Sequence, residues 1–221
     1  MTLLAPDDPA LHQDATMLRL DPPAVALLRA LAVGGAARHP VFGGPAGQAA
    51  RRLLTDQGAL DADGALTPPT TTLLEPLRRP RFRLLARVHG PTERRRAIWV
   101  GERAATVATP HPDGTLALRH EEPSRIGADL VSWLGVRPLP EREGRSAWSC
   151  RPLDLTMPGT HTAWVVERRV DDPASMRWVA AVDAGRDGWR TASGSAADRR
   201  SASTFRPVGV AAVYVALSHM V

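Results

Sequence analysis

The 221-residue chain has no lysine and no asparagine, a single cysteine, only two isoleucines (Ile98 and Ile126) and few aromatics, 5% in all. Each shortage excludes something. Without lysine there is no P-loop ammonium to reach nucleotide phosphates, no Schiff base and no amine nucleophile. One cysteine, Cys150, closes no disulfide within the chain and builds no cysteine-rich zinc site, and this suits a reducing, cytoplasmic setting. The opening MTLLAPDDPALHQD carries acids where an export signal carries positive charge. The longest apolar run, VGVAAVYVALSHMV, spans about 14 residues, short of the roughly 18–20 that cross a bilayer. It reads as a buried helix, and no membrane span is expected.

Positive charge is plentiful and all of it is arginine: 28 against 23 acids, for a net +5. The scarce residue types are those with AT-rich codons, so base composition accounts for much of this arginine. With 43% hydrophobic and 23% charged residues the chain is globular and long enough for one large domain or two small ones.

A short strand, ATMLRL, precedes a helix in DPPAVALLRALAVGG, where Asp21 is an N-cap and Gly34-Gly35 a stop. A second helix, GQAARRLLTDQG, ends at Gly58 as a left-handed cap, and a third spans TPPTTTLLEPLRR with Pro76 inside it. From Pro80 the period changes to that of strands in RFRLLARVH, RRRAIWVGE, AATVATP and TLALRHE, before a helix in IGADLVSWLG. RPLPEREGRSAWS is a polar seam. Strands return in CRPLDLTM, HTAWVVERRV, MRWVAAVDA and DGWRTAS, and a polar stretch GSAADRRSAS leads to the closing helix from Pro207. The order repeats. RFRLLARV matches HTAWVVERRV, Trp99-Val100 matches Trp178-Val179, and Asp113-Gly114 matches Asp187-Gly188, as a β-β-β-α duplication or as two independent β-meanders, each packed on a helix.

No catalytic constellation assembles. The seven histidines include no i, i+4 metal pair, and His120, Glu121 and Glu122 are neighbours that point apart on a strand end. Cys150 near His161 is an inert thiol in a linker, Ser193 and Ser195 lack a nucleophile elbow, and GGPAG lacks a dinucleotide fingerprint. No enzyme, cofactor or metal is expected. Residues 81–221 hold 21 arginines against 15 acids, and Arg79, Arg81, Arg83 and Arg87 near one strand, followed by Arg94, Arg95 and Arg96 in the next hairpin, make a basic sheet surface. Such a surface suits an acidic protein partner, or alternatively a nucleic acid, although Phe82 is the lone stacking aromatic in the run. Of six tryptophans, Trp148 and Trp189 are expected nearest the surface.

The run from DPPAVALLRALAVGG through GALDADGALTPPTTTLLEPLRRP into RFRLLARVHG, AIWVGERAATVATP and IGADLVSWLG resembles the EspG family of chaperones associated with type VII (ESX) secretion, and WVAAVDAGRDGW resembles that family's second-half strand and turn. The resemblance implies an α+β fold with an antiparallel or mixed sheet, flanking helices and a pseudo-two-fold arrangement. It is a single domain of two halves, 15–137 and a shortened 147–221, because 138–160 offers only a Pro-rich linker and one strand where the family repeats a helical pair. It implies no catalysis, and a helical secreted partner of the PE–PPE or WXG kind, with a homodimer as a further possibility. The partner is expected on the exposed sheet and the C-terminal helix, and the candidate partner-binding residues are Arg94, Arg95 and Arg96 as a steering rim and Trp99, Val107 and Trp178 as anchors. The alternative is a nucleic-acid-associated regulator.

Overall fold

Apolar residues at every second position from Phe82 to Val88 bury one edge of each pleat, and Met17–Leu20 alternates likewise, whereas Thr162–Arg169 and Arg177–Asp183 are buried almost continuously, on both sides. The structure, a computed structural model, describes residues 17–32, 44–90, 92–139, 147–150, 162–201 and 203–221. Within them lie β1 (Met17–Leu20), α1 (Pro22–Ala32), α2 (Pro45–Asp56), α3 (Pro68–Arg78), β2 (Phe82–His89), β3 (Arg94–Val100), β4 (Ala105–Pro110), β5 (Leu116–Glu121) and α4 (Ile126–Leu134). The second half adds β6 (Trp148–Cys150), β7 (Thr162–Arg169), β8 (Arg177–Asp183), β9 (Trp189–Ser195), β10 (Ser203–Val208) and α5 (Val210–Ser218).

The ten strands form one antiparallel sheet in the order β1-β5-β4-β3-β2-β7-β8-β9-β10-β6. Read outward from the β2–β7 pair, both sides repeat one sequence of hairpins and end on the strand that opens each half. The local centre is Ala86 opposite Val166. Each half therefore holds an edge strand, a meander of four strands where the β-β-β-α expectation had three, and a terminal helix. The addition is β10: Ser203 and Pro207 conceal a strand whose buried side chain is Phe205. The hairpin match also shifts. Asp113-Gly114 joins β4 to β5, whereas Asp187-Gly188 joins β8 to β9, whose first-half counterpart is the β3–β4 turn at Gly101.

Both faces of the sheet are buried. On one face α1, α2 and α3 cover Leu18, Leu20, Ala108 and Leu118. Asp21 caps α1 by accepting the Ala24 amide at 2.8 Å, Gly58 takes φ 69° past α2, and the buried Thr106 hydroxyl donates to the Leu73 carbonyl, fastening α3 onto β4. On the same face in the second half, Val165, Trp178, Ala180, Val182 and Phe205 form a separate cluster. The opposite face carries α4 and α5. Ile126, Leu130 and Leu134, with Val213 and Leu217, seal a core of Leu84, Ile98, Val107, Trp164, Val166 and Trp189 that crosses the junction of the halves. Trp189, expected near the surface, is 1% exposed. As the first residue of β9 it lies beneath the exit of α4, and its indole N–H donates to the Arg137 carbonyl at 2.8 Å. Most of the 137–149 seam, the CRPLDLTM strand beyond Cys150, His161 and the Trp148 side chain lie outside the described residues.

Candidate partner-binding surface

α5 departs from the expected buried helix. Its sequence VAAVYVALS is apolar on every side, yet only Val213 and Leu217 of the helix itself are buried. A helix lying on a sheet can bury only one stripe of its circumference, so the remainder faces solvent: Tyr214 is 42% and Val215 54% exposed. Beside it Val131 and Val136 border a groove of about 650 Å³ between α4 and α5, lined also by Tyr214, Val215 and Leu217. Large apolar residues clustered on a surface in this way mark contact sites. The sequence pointed to the C-terminal helix as part of a binding surface without singling out these residues, although a nine-residue helix with no charged residue carries the signal.

The arginines of β3 divide between the two faces by the period of two. Arg94 and Arg96 point to the α4 side, where their guanidinium carbons lie 5.2 and 4.7 Å from the centre of the Trp133 ring. Arg96 also donates to Asp129 at 2.7 Å and to the Thr109 hydroxyl at 3.2 Å. Arg119 binds the other oxygen of Asp129 and reaches Glu121 at 3.0 Å. Asp129 thus bridges two guanidiniums. Burial pushes Arg96 down to about 10, with Asp129 opposing the fall and Arg119 adding to it, so it stays cationic at neutral pH. Arg95 lies on the other face, opposite Arg87, and pairs with Glu93 at 3.0 Å.

Of the remaining anchor candidates, Trp99 is partly buried against the α1–α3 core. Val107 and Trp178 are each 1% exposed, Val107 in the core beneath α4 and α5 and Trp178 donating its indole N–H to the Ser195 carbonyl at 2.9 Å. They are interior residues of the sheet. Arg94, Arg96 and Trp133 converge, whereas Trp99 and Trp178 stand on the opposite face.

Among the described residues no group of three or more His, Cys, Asp or Glu side chains is placed to hold a metal, and no helix is long and apolar enough to cross a membrane. Glu121 is engaged by Arg119, and the Ser195 hydroxyl donates to Asp198 at 2.8 Å.

The solved structure of the Mycobacterium tuberculosis type VII secretion system chaperone EspG5, in complex with the PE25–PPE41 dimer, superposes on this chain with a TM-score of 0.61 over 91% of this chain and 94% of that one, at 11% sequence identity. The fold is EspG-like. No protein-family model and no curated protein matches the chain. The likeness therefore lies in architecture: a large antiparallel sheet with five helices.

Proposed function

We propose that the protein is a non-catalytic, cytoplasmic chaperone or adaptor of a type VII secretion system. It acts as one unit of two halves, 15–137 and 147–221, and holds an apolar helical segment of a secreted partner of the PE–PPE or WXG kind. The carrying observation is the solvent-facing apolar strip of α5, Tyr214 and Val215, beside Val131 and Val136 of the α4 side. The EspG-like fold supports the same reading, since the similar chaperone was solved bound to a PE–PPE dimer. Arg94, stacked on Trp133, serves as a rim cation that steers an acidic partner, with Arg96 behind it, while Arg95, paired with Glu93 on the other face, takes no part in this rim. The nucleic-acid alternative has less support, because Arg19, Arg95, Arg96, Arg119, Arg125, Arg137 and Arg169 are committed to internal carboxylates.

The test is affinity capture of the tagged protein from its own cells, with and without nuclease, and mass spectrometry of what is retained. A stoichiometric helical secreted protein is expected, indifferent to nuclease and lost when Tyr214→Ser and Val215→Ser are combined. Recovery of nucleoprotein alone, sensitive to nuclease, overturns the reading, as does undiminished capture by the double variant.

A further inference from the structure

The two halves of the sheet act as controls for each other. On the α4–α5 face, cross-strand registers run outward from the centre through Leu84, Ile98, Val107 and Arg119 in the first half. In the second half they run through Trp164, Ala181, Thr191 and Arg206. Arg119 and Arg206 therefore hold the same place on equivalent strands. The helices above them correspond too: Ile126 and Leu130 of α4, and Val213 and Leu217 of α5, are buried pairs four residues apart. Asp129 and Ala216, each one residue before the buried leucine, are equivalent positions.

In the first half Asp129 lies between Arg119 and Arg96, and the Thr109 hydroxyl lies beside Arg96. In the second half the corresponding residues are Ala216, Arg206, Val179 and Ser193. The arginine and a hydroxyl remain, the carboxylate is replaced by a methyl group, and Thr191 adds a second hydroxyl. Val179, Thr191, Ser193, Arg206 and Ala216 all line one groove of about 520 Å³. Asp198, the acid among its described lining residues, is engaged elsewhere, accepting the Ser195 amide at 2.9 Å and the Ser195 hydroxyl at 2.8 Å. Among the described residues Arg206 has no ion-pair partner, although its equivalent has two.

We propose that this second-half groove binds a carboxylate group supplied from outside the chain, seated against Arg206 where Asp129 sits against Arg119. Arginine presents parallel N–H groups that match the two oxygens of a carboxylate, and the Thr191 and Ser193 hydroxyls are further donors within the same groove. The space left by an aspartate side chain fits a planar monoanion. The carboxylate belongs either to a small free acid or to an Asp or Glu side chain of a bound protein.

The test uses the isolated 221-residue chain and so stands apart from partner capture. Guanidinium Nε–Hε signals of Arg206 and Arg119 are followed by NMR during titration with succinate. Parallel titrations use a capped alanine-rich helical peptide bearing one Glu, its Gln counterpart, and sodium chloride at matched ionic strength. The Arg206 signal is expected to shift saturably with a carboxylate while Arg119, already occupied, stays still. The response is expected to disappear in Arg206→Gln and in Ala216→Asp, the latter supplying the missing acid internally. A response to succinate identifies a small acid as sufficient, and a response confined to the Glu peptide identifies a protein side chain. Equal shifts of Arg206 and Arg119, no shift with either carboxylate, or a full response surviving in Ala216→Asp each overturns the proposal.

Discussion

Asp129 provides the most direct test of the electrostatics. Its carboxylate accepts from Arg96, whose side chain is 11% exposed, and from Arg119, at 21%, while Asp129 itself is 21% exposed. Asp129→Asn preserves shape and removes the charge, leaving two mostly desolvated guanidiniums near each other without their shared counter-ion. An exposed pair contributes about 0.2–1 kcal/mol, and removing one partner of a fully buried pair costs about 3–5 kcal/mol. At about one-fifth exposure, with two cations affected, the expected loss is about 2–3 kcal/mol. In a chain of this length each kcal/mol moves the melting midpoint by about 2–4 °C, so the variant should melt about 5–10 °C lower by circular dichroism at pH 7. Arg206→Gln, at the equivalent site, where the arginine has no ion-pair partner among the described residues, should change the midpoint by less than about 2 °C. A fall below 2 °C for Asp129→Asn, or equal falls for both variants, would refute the reasoning.

Gly194→Ala places a Cβ 2.8 Å from Cζ2 of the buried Trp178 and 3.0 Å from Asp198; a loss of about 1–3 kcal/mol in urea unfolding is expected. His89, whose Nε2 is buried without a hydrogen-bond partner, is held below its ordinary 6.5 chiefly by burial, with Glu93 opposing and Arg87 and Arg95 reinforcing. Above that pH it is neutral in both states. As pH falls below 6.5 the unfolded chain takes up the proton first, so stability should decline until the folded value is passed. His89→Gln should flatten the midpoint-versus-pH curve over that window, and an unchanged slope would count against the burial argument. Tyr214→Ser with Val215→Ser should leave the midpoint within about 2–3 °C, because neither side chain is buried, while reducing partner capture.

Much of the architecture was legible. Alternating burial along Phe82–His89, the Asp21 cap and the Gly58 turn are local features, and local sequence specifies them. Sheet order is different, because it depends on pairings such as Ala86 with Val166 that no short window contains. β10 went unrecognised because its pairing to β9 and β6 holds residues of low strand propensity, Ser203 and Pro207 among them. The exposure of α5 was likewise hidden, since an apolar helix reads as buried until the surface it lies on is known. Trp189 and Val107 show the opposite limit: a tryptophan after a turn and a valine in a strand look equally available until α4 and α5 are placed over them.

The central β2–β7 pair also has a consequence for synthesis. Its partners Ala86 and Val166 are separated by about 80 residues of chain, so at ribosomal speeds of about 5–20 residues per second β2 emerges about 4–16 s before β7. Throughout that interval the nascent first half presents an eight-residue strand with an unpaired row of amides and carbonyls. Any neighbouring nascent chain offers an identical strand, and the local symmetry of the junction lets two copies of β2 pair much as β2 pairs with β7. Translation rate and crowding on the messenger thus set how often this sheet closes within its own chain and how often it is captured by another.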